Sequence, residues 1–365
     1  MSYERSNIRK LAAYVPGEQP KVSKLIKLNT NENPYPPVPA VMKAIADVQG
    51  DHLRRYPSPT AQGFREAAAR VHHVEPEQVI ATNGSDELLR LVMTVYCEPS
   101  GMRTNQPGGI GVTNPTYSLY SVLADIQDTP EIVVDLDDDY GMPSDLSDRW
   151  NAAGCKLGFI VNPHAPSGRF YELHEIRKVA EKFDGVLIVD EAYVDFAEHD
   201  ALELVRQQPD GLGLENVLVT RTLSKGYSLA GLRFGYGIGS HKIIAALDKA
   251  RDSYNTDILS QAAATTAIEA RDAVAESWEK VILERDRMRD ELEKRGYKVF
   301  PSAANFLLTV PPKGRVGAAK IYQSLADKGI YVRYFTHDNM CDKLRITVGT
   351  PEQNDALYNA LDQIK

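Results

Sequence analysis

The stretch "VLVTRTLSKGYSLAGLRFGYG", residues 217–237, sets the reading of the whole chain. Val217, Leu218 and Val219 form an apolar run of the kind found in a strand buried on both faces. The run ends at Lys225, held between Ser224 and Gly226, and Arg233 opens a second strand-like run. A lysine at the mouth of a strand has two fates. It is solvated, or it is desolvated with a lowered pKa and nucleophilic at neutral pH. Arg233 close behind adds a fixed cation, which depresses the lysine pKa further and gives an anion something to bind.

Working outward, short apolar strands alternate with amphipathic helices from about residue 60 to 250. The runs "KLGFIVNP" (156–163), "GVLIVDEAY" (185–193), "NVLVTRT" (216–222) and "RFGYGIG" (233–239) are compact and β-rich. "FREAAARVHHV" (64–74), "DELLRLVMTVYC" (86–97) and "ELHEIRKVAEKF" (172–183) have helical spacing, whereas little helix signal separates the second strand run from the third. The alternation predicts an α/β domain with a mostly parallel central sheet flanked by helices. Ligands of such sheets collect beyond the carboxyl ends of the strands. The texture changes after about residue 260. Residues 260–296 read as one long, charged interdomain helix with a solvated face. "YKVFPSAANFLLTV" (297–310), a helix over 316–329, strands at "IYVRYF" and "KLRITVG" and a closing helix then give an α+β pattern. The expected organisation is an N-terminal arm over 1–45 that also contributes to the small domain, a large domain over 46–258, and a small domain with its connecting helix over 259–365.

Composition narrows the function. With 365 residues, 43% hydrophobic, the chain can bury a large core over about two domains. A net charge of −8 without a strongly basic stretch argues against a nucleic-acid partner. The N-terminal stretch lacks the apolar core of a signal peptide, and no apolar run approaches the roughly 20 residues that span a bilayer. Cys97, Cys155 and Cys341 are odd in number and far apart, which fits a reducing cytoplasm better than a disulfide framework. No metal pattern is expected: His72 and His73 read as a solvated turn, and "DLDDDYG" (135–141) as a turn lacking the glycine and distal glutamate of a calcium loop.

The residues after each apolar run then come under scrutiny. Asp190 ends a run of apolar residues, so its carboxylate is partly desolvated and wants a cationic partner. Glu191 and Tyr193 follow at once. Gly84 and Ser85 precede a helix, where free N–H groups and the helix dipole suit a phosphate, although a simple cap reads the same way. Asn162 ends a strand before a Pro-rich turn, either offering its amide to a ligand or bonding locally. Tyr117 offers a flat face at a helix start. Each signal alone is weak; together they describe one site with an amine nucleophile, a phosphate cradle, a buried carboxylate, a phenol and a stacking ring.

These motifs resemble the fold-type I pyridoxal-phosphate aminotransferases, and within them the histidinol-phosphate branch. The resemblance runs nearly the whole length: "LNTNENPYPP", "RYPSPTAQGFREAAA", "TNGSDELL", "PTYSLY", "NPHAPSG", "VDEAYVDF", "TLSKGYSLAGLRFGYG", "SYNTDILSQAAA", "ANFLL" and "LRITVGT". It implies a dimeric enzyme with shared active sites, using pyridoxal 5′-phosphate on small-molecule substrates. Lys225 would hold the cofactor as a Schiff base, Asp190 would pair with the pyridine nitrogen, and Tyr193 would bond the ring oxygen. Ser85 and Asp86 through their N–H groups, Thr222, Ser224 and Arg233 would anchor the phosphate, with Tyr56 reaching it from the neighbouring subunit. Tyr117 would stack on the ring. Arg345 and Arg333 would read the substrate's anionic group, Tyr14 and Asn33 would lie in the closing arm, and Tyr254 and Asn255 would come from the partner chain. The chain departs from the family where the usual Asn-Pro-Thr-Gly turn has Ala165 in place of the asparagine. Either Asn162 fills that slot, the favoured reading, or Tyr193 makes the contact alone. The implied reaction moves an amino group between histidinol phosphate and 2-oxoglutarate. An aromatic amino-acid aminotransferase, a threonine-phosphate decarboxylase and a regulator's ligand-sensing domain are the rivals.

Overall fold

The computed structural model describes residues 3–11, 25–100, 108–206, 213–314, 316–337 and 339–364. Among the described residues, twelve strands form two sheets. They are β1 (Ile26–Leu28), β2 (Val79–Thr82), β3 (Gly109–Asn114), β4 (Glu131–Asp135), β5 (Cys155–Val161), β6 (Val186–Asp190), β7 (Val217–Thr222), β8 (Gly235–Gly239), β9 (Lys298–Val299), β10 (Phe306–Val310), β11 (Ile330–Tyr334) and β12 (Leu344–Thr347). The larger sheet runs β2-β8-β7-β6-β5-β3-β4. It is parallel throughout except for β8, which lies antiparallel between β2 and β7. Every residue of β7 is buried, the apolar Val217–Val219 and the polar Thr220, Arg221 and Thr222 alike, as for a strand covered on both faces.

β6 and β7 run parallel with Asp190 opposite Thr220, two residues before β7 ends at Thr222, so the loops after both strands open on one rim. The helix Ser85–Tyr96 follows β2 after a tight turn at Gly84, whose φ of 79° places it in the left-handed region. Between β6 and β7 the described residues hold only the single turns Val194–Phe196 and Leu202–Leu204, in keeping with the weak helix signal there.

The smaller sheet runs β1-β11-β12-β10-β9, with β1 parallel to β11 and the other neighbours antiparallel. The arm therefore contributes a strand to the C-terminal sheet before the helix Pro39–Ala46. One expectation is corrected here. The stretch 260–296 forms two helices, Ile258–Glu269 and Arg271–Lys294, separated at Ala270. The first packs its alanine-rich surface on the helices Pro39–Ala46 and Gln62–His72, while the second reaches β9, β10 and the closing helix Pro351–Asp362. A single straight helix could not follow both layers. His72 is also not in a solvated turn: it is buried, its Nε2 lies 2.9 Å from the Tyr236 hydroxyl, and burial pushes its pKa well down.

Candidate active site

Lys225 follows β7 by three residues, and its Nζ donates to the carbonyl of Thr30 at 2.8 Å. Its pKa falls to about 8, first because of burial and then because Arg345 and, less strongly, Arg233 lie near; Glu32 and Asp86 oppose them. Arg233 thus acts as expected, but Arg345 from the other sheet acts more strongly. A lysine so perturbed reaches its neutral, nucleophilic form far more readily than a solvated one.

Asp190 lies at the end of β6, 5% exposed. It accepts from the Tyr120 hydroxyl at 2.6 Å and from the Ala192 N–H at 3.2 Å, and burial raises its pKa. No side-chain cation pairs with it among the described residues, so a cationic ligand group would relieve its desolvation. Glu191 faces elsewhere, bound to the buried Arg221 guanidinium at 2.7 Å. Tyr193 packs edge-on against Phe306 and accepts from the Asn31 amide at 3.0 Å.

The anion cradle is built where β2, β7 and β8 meet. Gly84 caps the helix Ser85–Tyr96, presenting the first helical N–H groups of Ser85 and Asp86. A Cβ on Gly84 would approach Arg233 Nη2 to 2.8 Å, and one on Gly235 would approach the Ser85 nitrogen to 2.4 Å. Glycine at both positions lets the helix start, the guanidinium and the β8 backbone converge. Thr222 and Ser224 join them, their hydroxyls 2.9 Å apart. Arg233 reaches Asp86 at 3.3 Å, and Asp86 in turn accepts from Tyr117 at 3.5 Å. Tyr117 stands edge-on to Tyr120, 5.7 Å between centroids.

Arg333 and Arg345 are direct cross-strand partners on β11 and β12. Like charges placed opposite one another destabilise a sheet, so this pairing makes sense as an anion reader. Phe335 lies 5.6 Å from the Arg333 guanidinium and 5.8 Å from that of Arg345, and Arg345 donates to the Asn29 carbonyl at 3.2 Å.

Other expected residues fall elsewhere. Asn162 does not offer its amide to a ligand: it donates to the Tyr171 carbonyl at 3.1 Å and accepts from the Tyr171 N–H at 2.8 Å. That is the local bonding a buried strand-end asparagine needs, and it corrects the favoured reading. Asn255 donates to Ala81 and Glu87 of its own chain, at 3.1 Å to the Ala81 carbonyl. Asn33 fastens the loop carrying Lys225 by donating to the Gly226 carbonyl at 3.1 Å. Tyr56, 82% exposed, stacks on Tyr254 at 4.6 Å, so these two rings form a platform on the surface of the chain. Tyr14 lies outside the described residues. Sequence reasoning passed over Tyr120 and Asn31; Tyr120 lies in the first turn of the helix Leu119–Gln127, three residues after Tyr117 in "PTYSLY".

The residues suit a phosphorylated pyridine aldehyde. The cradle would take the phosphate, Asp190 a protonated ring nitrogen, and Lys225 the carbonyl carbon. Lysine carbonyl chemistry at the carboxyl rim of a parallel sheet defines a class of enzymes built on an aldehyde cofactor. Residues 23–361 match the family described as aminotransferase class I and II, and the chain belongs to that family. It is similar to histidinol-phosphate aminotransferase 1 of Trichormus variabilis, at 43% identity over 99% of this chain and 98% of the relative. It is likewise similar to the histidinol-phosphate aminotransferase of Geotalea uraniireducens, at 42% identity over 99% of both chains. Among solved structures, histidinol-phosphate aminotransferase from Sinorhizobium meliloti in complex with pyridoxal-5′-phosphate superposes with a TM-score of 0.86. It is 25% identical, and the match covers 99% of this chain and 97% of that one.

Proposed function

We propose that this aminotransferase uses pyridoxal 5′-phosphate to exchange an amino group between histidinol phosphate and glutamate, through imidazole-acetol phosphate and 2-oxoglutarate, in histidine biosynthesis. The observation that carries the reading is the Arg333–Arg345 pair beside a lysine whose pKa is about 8. Two guanidiniums can grip a phosphate ester on one substrate and a carboxylate on the other.

When bound, the cofactor supplies an aldehyde and an electron-withdrawing ring. Lys225 Nζ would hold it, and the same amine, its pKa lowered to about 8, would be the group that moves the proton at the substrate Cα. Asp190, oriented by Tyr120, keeps the pyridine nitrogen protonated. The N–H groups of Ser85 and Asp86, with Thr222, Ser224 and Arg233, would bind the phosphate, for which Arg233 would give up its Asp86 contact. Tyr117 would stack on the ring and Tyr193 would bond its oxygen. Asn33 acts through the Gly226 carbonyl on the position of Lys225.

We further infer a homodimer in the cytoplasm, divided into an arm over 1–45, a large domain over 46–258 and a small domain over 259–365. The exposed Tyr56–Tyr254 platform suits a neighbouring subunit's cofactor phosphate, and the three cysteines are free thiols. Among the described residues no helix is long and apolar enough to cross a membrane. Steady-state rates with histidinol phosphate and with phenylalanine test the substrate: a higher kcat/KM for phenylalanine would overturn the proposal.

A further inference from the structure

Ala165 offers no amide to the ring oxygen and the Asn162 amide is committed to Tyr171, so that contact falls to the Tyr193 hydroxyl. The side-chain amide that does reach Tyr193 comes from the arm. Asn31 is 1% exposed and adopts a φ of 56°, in the left-handed region that asparagine and glycine tolerate best. Its Nδ2 donates to the Tyr193 hydroxyl at 3.0 Å. Its Oδ1 accepts from Thr347 Oγ1 at 3.0 Å, and the same Oγ1 accepts from the Asn31 N–H at 3.0 Å. The Asn31 carbonyl accepts from the Asn305 amide at 3.0 Å.

This arrangement fixes the orientation of the amide. Thr347 Oγ1 already accepts the main-chain proton, so its own proton goes to Oδ1, and the NH2 group is turned to Tyr193. A phenol oxygen that accepts along the Asn31 direction sends its own proton along another. Asn31 follows β1, Thr347 ends β12, and Tyr193 follows β6, so one side chain joins the rim of the large sheet to the small sheet.

We propose that Asn31 is a positioning residue for the reaction: its amide fixes the Tyr193 hydroxyl so that the phenol donates to the cofactor's ring oxygen. This rests on the reading of Tyr193 given under Proposed function. It assigns to the arm a task that the turn at Ala165 leaves undone.

A cycle of holoenzymes tests it: wild type, Asn31→Gly, Tyr193→Phe and the double variant, with Asn31→Asp beside them. Glycine keeps the left-handed backbone, so the fold is preserved. Aspartate keeps the acceptor for Thr347 but removes the donor to Tyr193. The readouts are the Kd for pyridoxal phosphate and the pH midpoint of the loaded protein's visible absorbance. Asn31→Gly and Asn31→Asp should each weaken cofactor binding about 5-fold, the worth of one hydrogen bond. They should also move the midpoint in the direction that Tyr193→Phe moves it. In the Tyr193→Phe background, Asn31→Gly should have almost no further effect. Equal effects of Asn31→Gly in both backgrounds, or an unmoved midpoint, would overturn the inference as a merely structural peg. A wild-type protein that takes up no pyridoxal phosphate would instead overturn the functional reading, and the inference with it.

Discussion

Replacing Lys225 with methionine, which is close in size and uncharged, exposes how much the site strains its own nucleophile. The ordinary lysine pKa of 10.5 falls to about 8 in the folded protein, chiefly through burial. Between those two values the unfolded chain binds a proton that the folded protein does not, so wild-type stability rises with pH across that window. Below it both states are protonated, and the folded protein carries the full cost of the buried charge. A shift of this size corresponds to about 3 kcal/mol. The unfolding free energy of Lys225→Met minus that of the wild type should therefore fall by about 3 kcal/mol as pH rises from below 8 to above 10.5. Taking the difference cancels every other titrating group. Denaturant unfolding of cofactor-free protein across this range gives the measurement. A difference that does not change with pH would refute the argument that Lys225 is desolvated and pressed by Arg345.

Four further outcomes can be checked together. Lys225→Ala should abolish turnover yet still bind pyridoxal phosphate non-covalently, so that dialysis removes the colour that persists in the wild type; retained turnover would remove Lys225 from its role. Arg345→Ala should raise KM for both glutamate and histidinol phosphate, by roughly 10- to 100-fold for the loss of a charge-assisted contact, whereas an effect on one substrate alone would show that the two anions are read separately. Gly235→Ala should weaken cofactor binding by at least about 10-fold, because its Cβ would sit 2.4 Å from the Ser85 nitrogen. Gly63→Ala, in the helix Gln62–His72 with nothing within 4 Å of the new Cβ, should instead raise stability by about 0.5–1 kcal/mol in thermal unfolding.

The parallel sheet was legible because its central strands β6 and β7 open on buried apolar runs, and because glycine, serine and lysine punctuate strand ends. Lys225, Asp190, Gly84 and Arg233 stand out by local contrast: a charge or a glycine where an apolar strand stops or, for Arg233, begins. The small sheet's first strand was harder. "IKL" at residues 26–28 has no strong period, and it becomes a strand only because β11 offers its edge. The helix break at Ala270 carries no glycine or proline; tertiary packing sets it. Side-chain amides were the least legible feature. Asn29, Asn31 and Asn33 look alike in "NTNENP", yet Asn31 faces Tyr193 while Asn33 faces Gly226. Asn162 seemed well placed for a ligand until Tyr171, nine residues on, matched both ends of its amide. Hydrogen-bond partners distant in sequence decide such roles, and periodicity does not report them.

The central claim is that Lys225, under the cradle of Ser85, Thr222, Ser224 and Arg233, holds pyridoxal phosphate for amino transfer from histidinol phosphate. The most direct test is to add histidinol phosphate to the yellow holoenzyme and follow the visible absorbance, with phenylalanine added to a matched sample. The account predicts prompt loss of the yellow band with histidinol phosphate and a slower or smaller loss with phenylalanine. A band that persists with histidinol phosphate, or fades faster with phenylalanine, would contradict it.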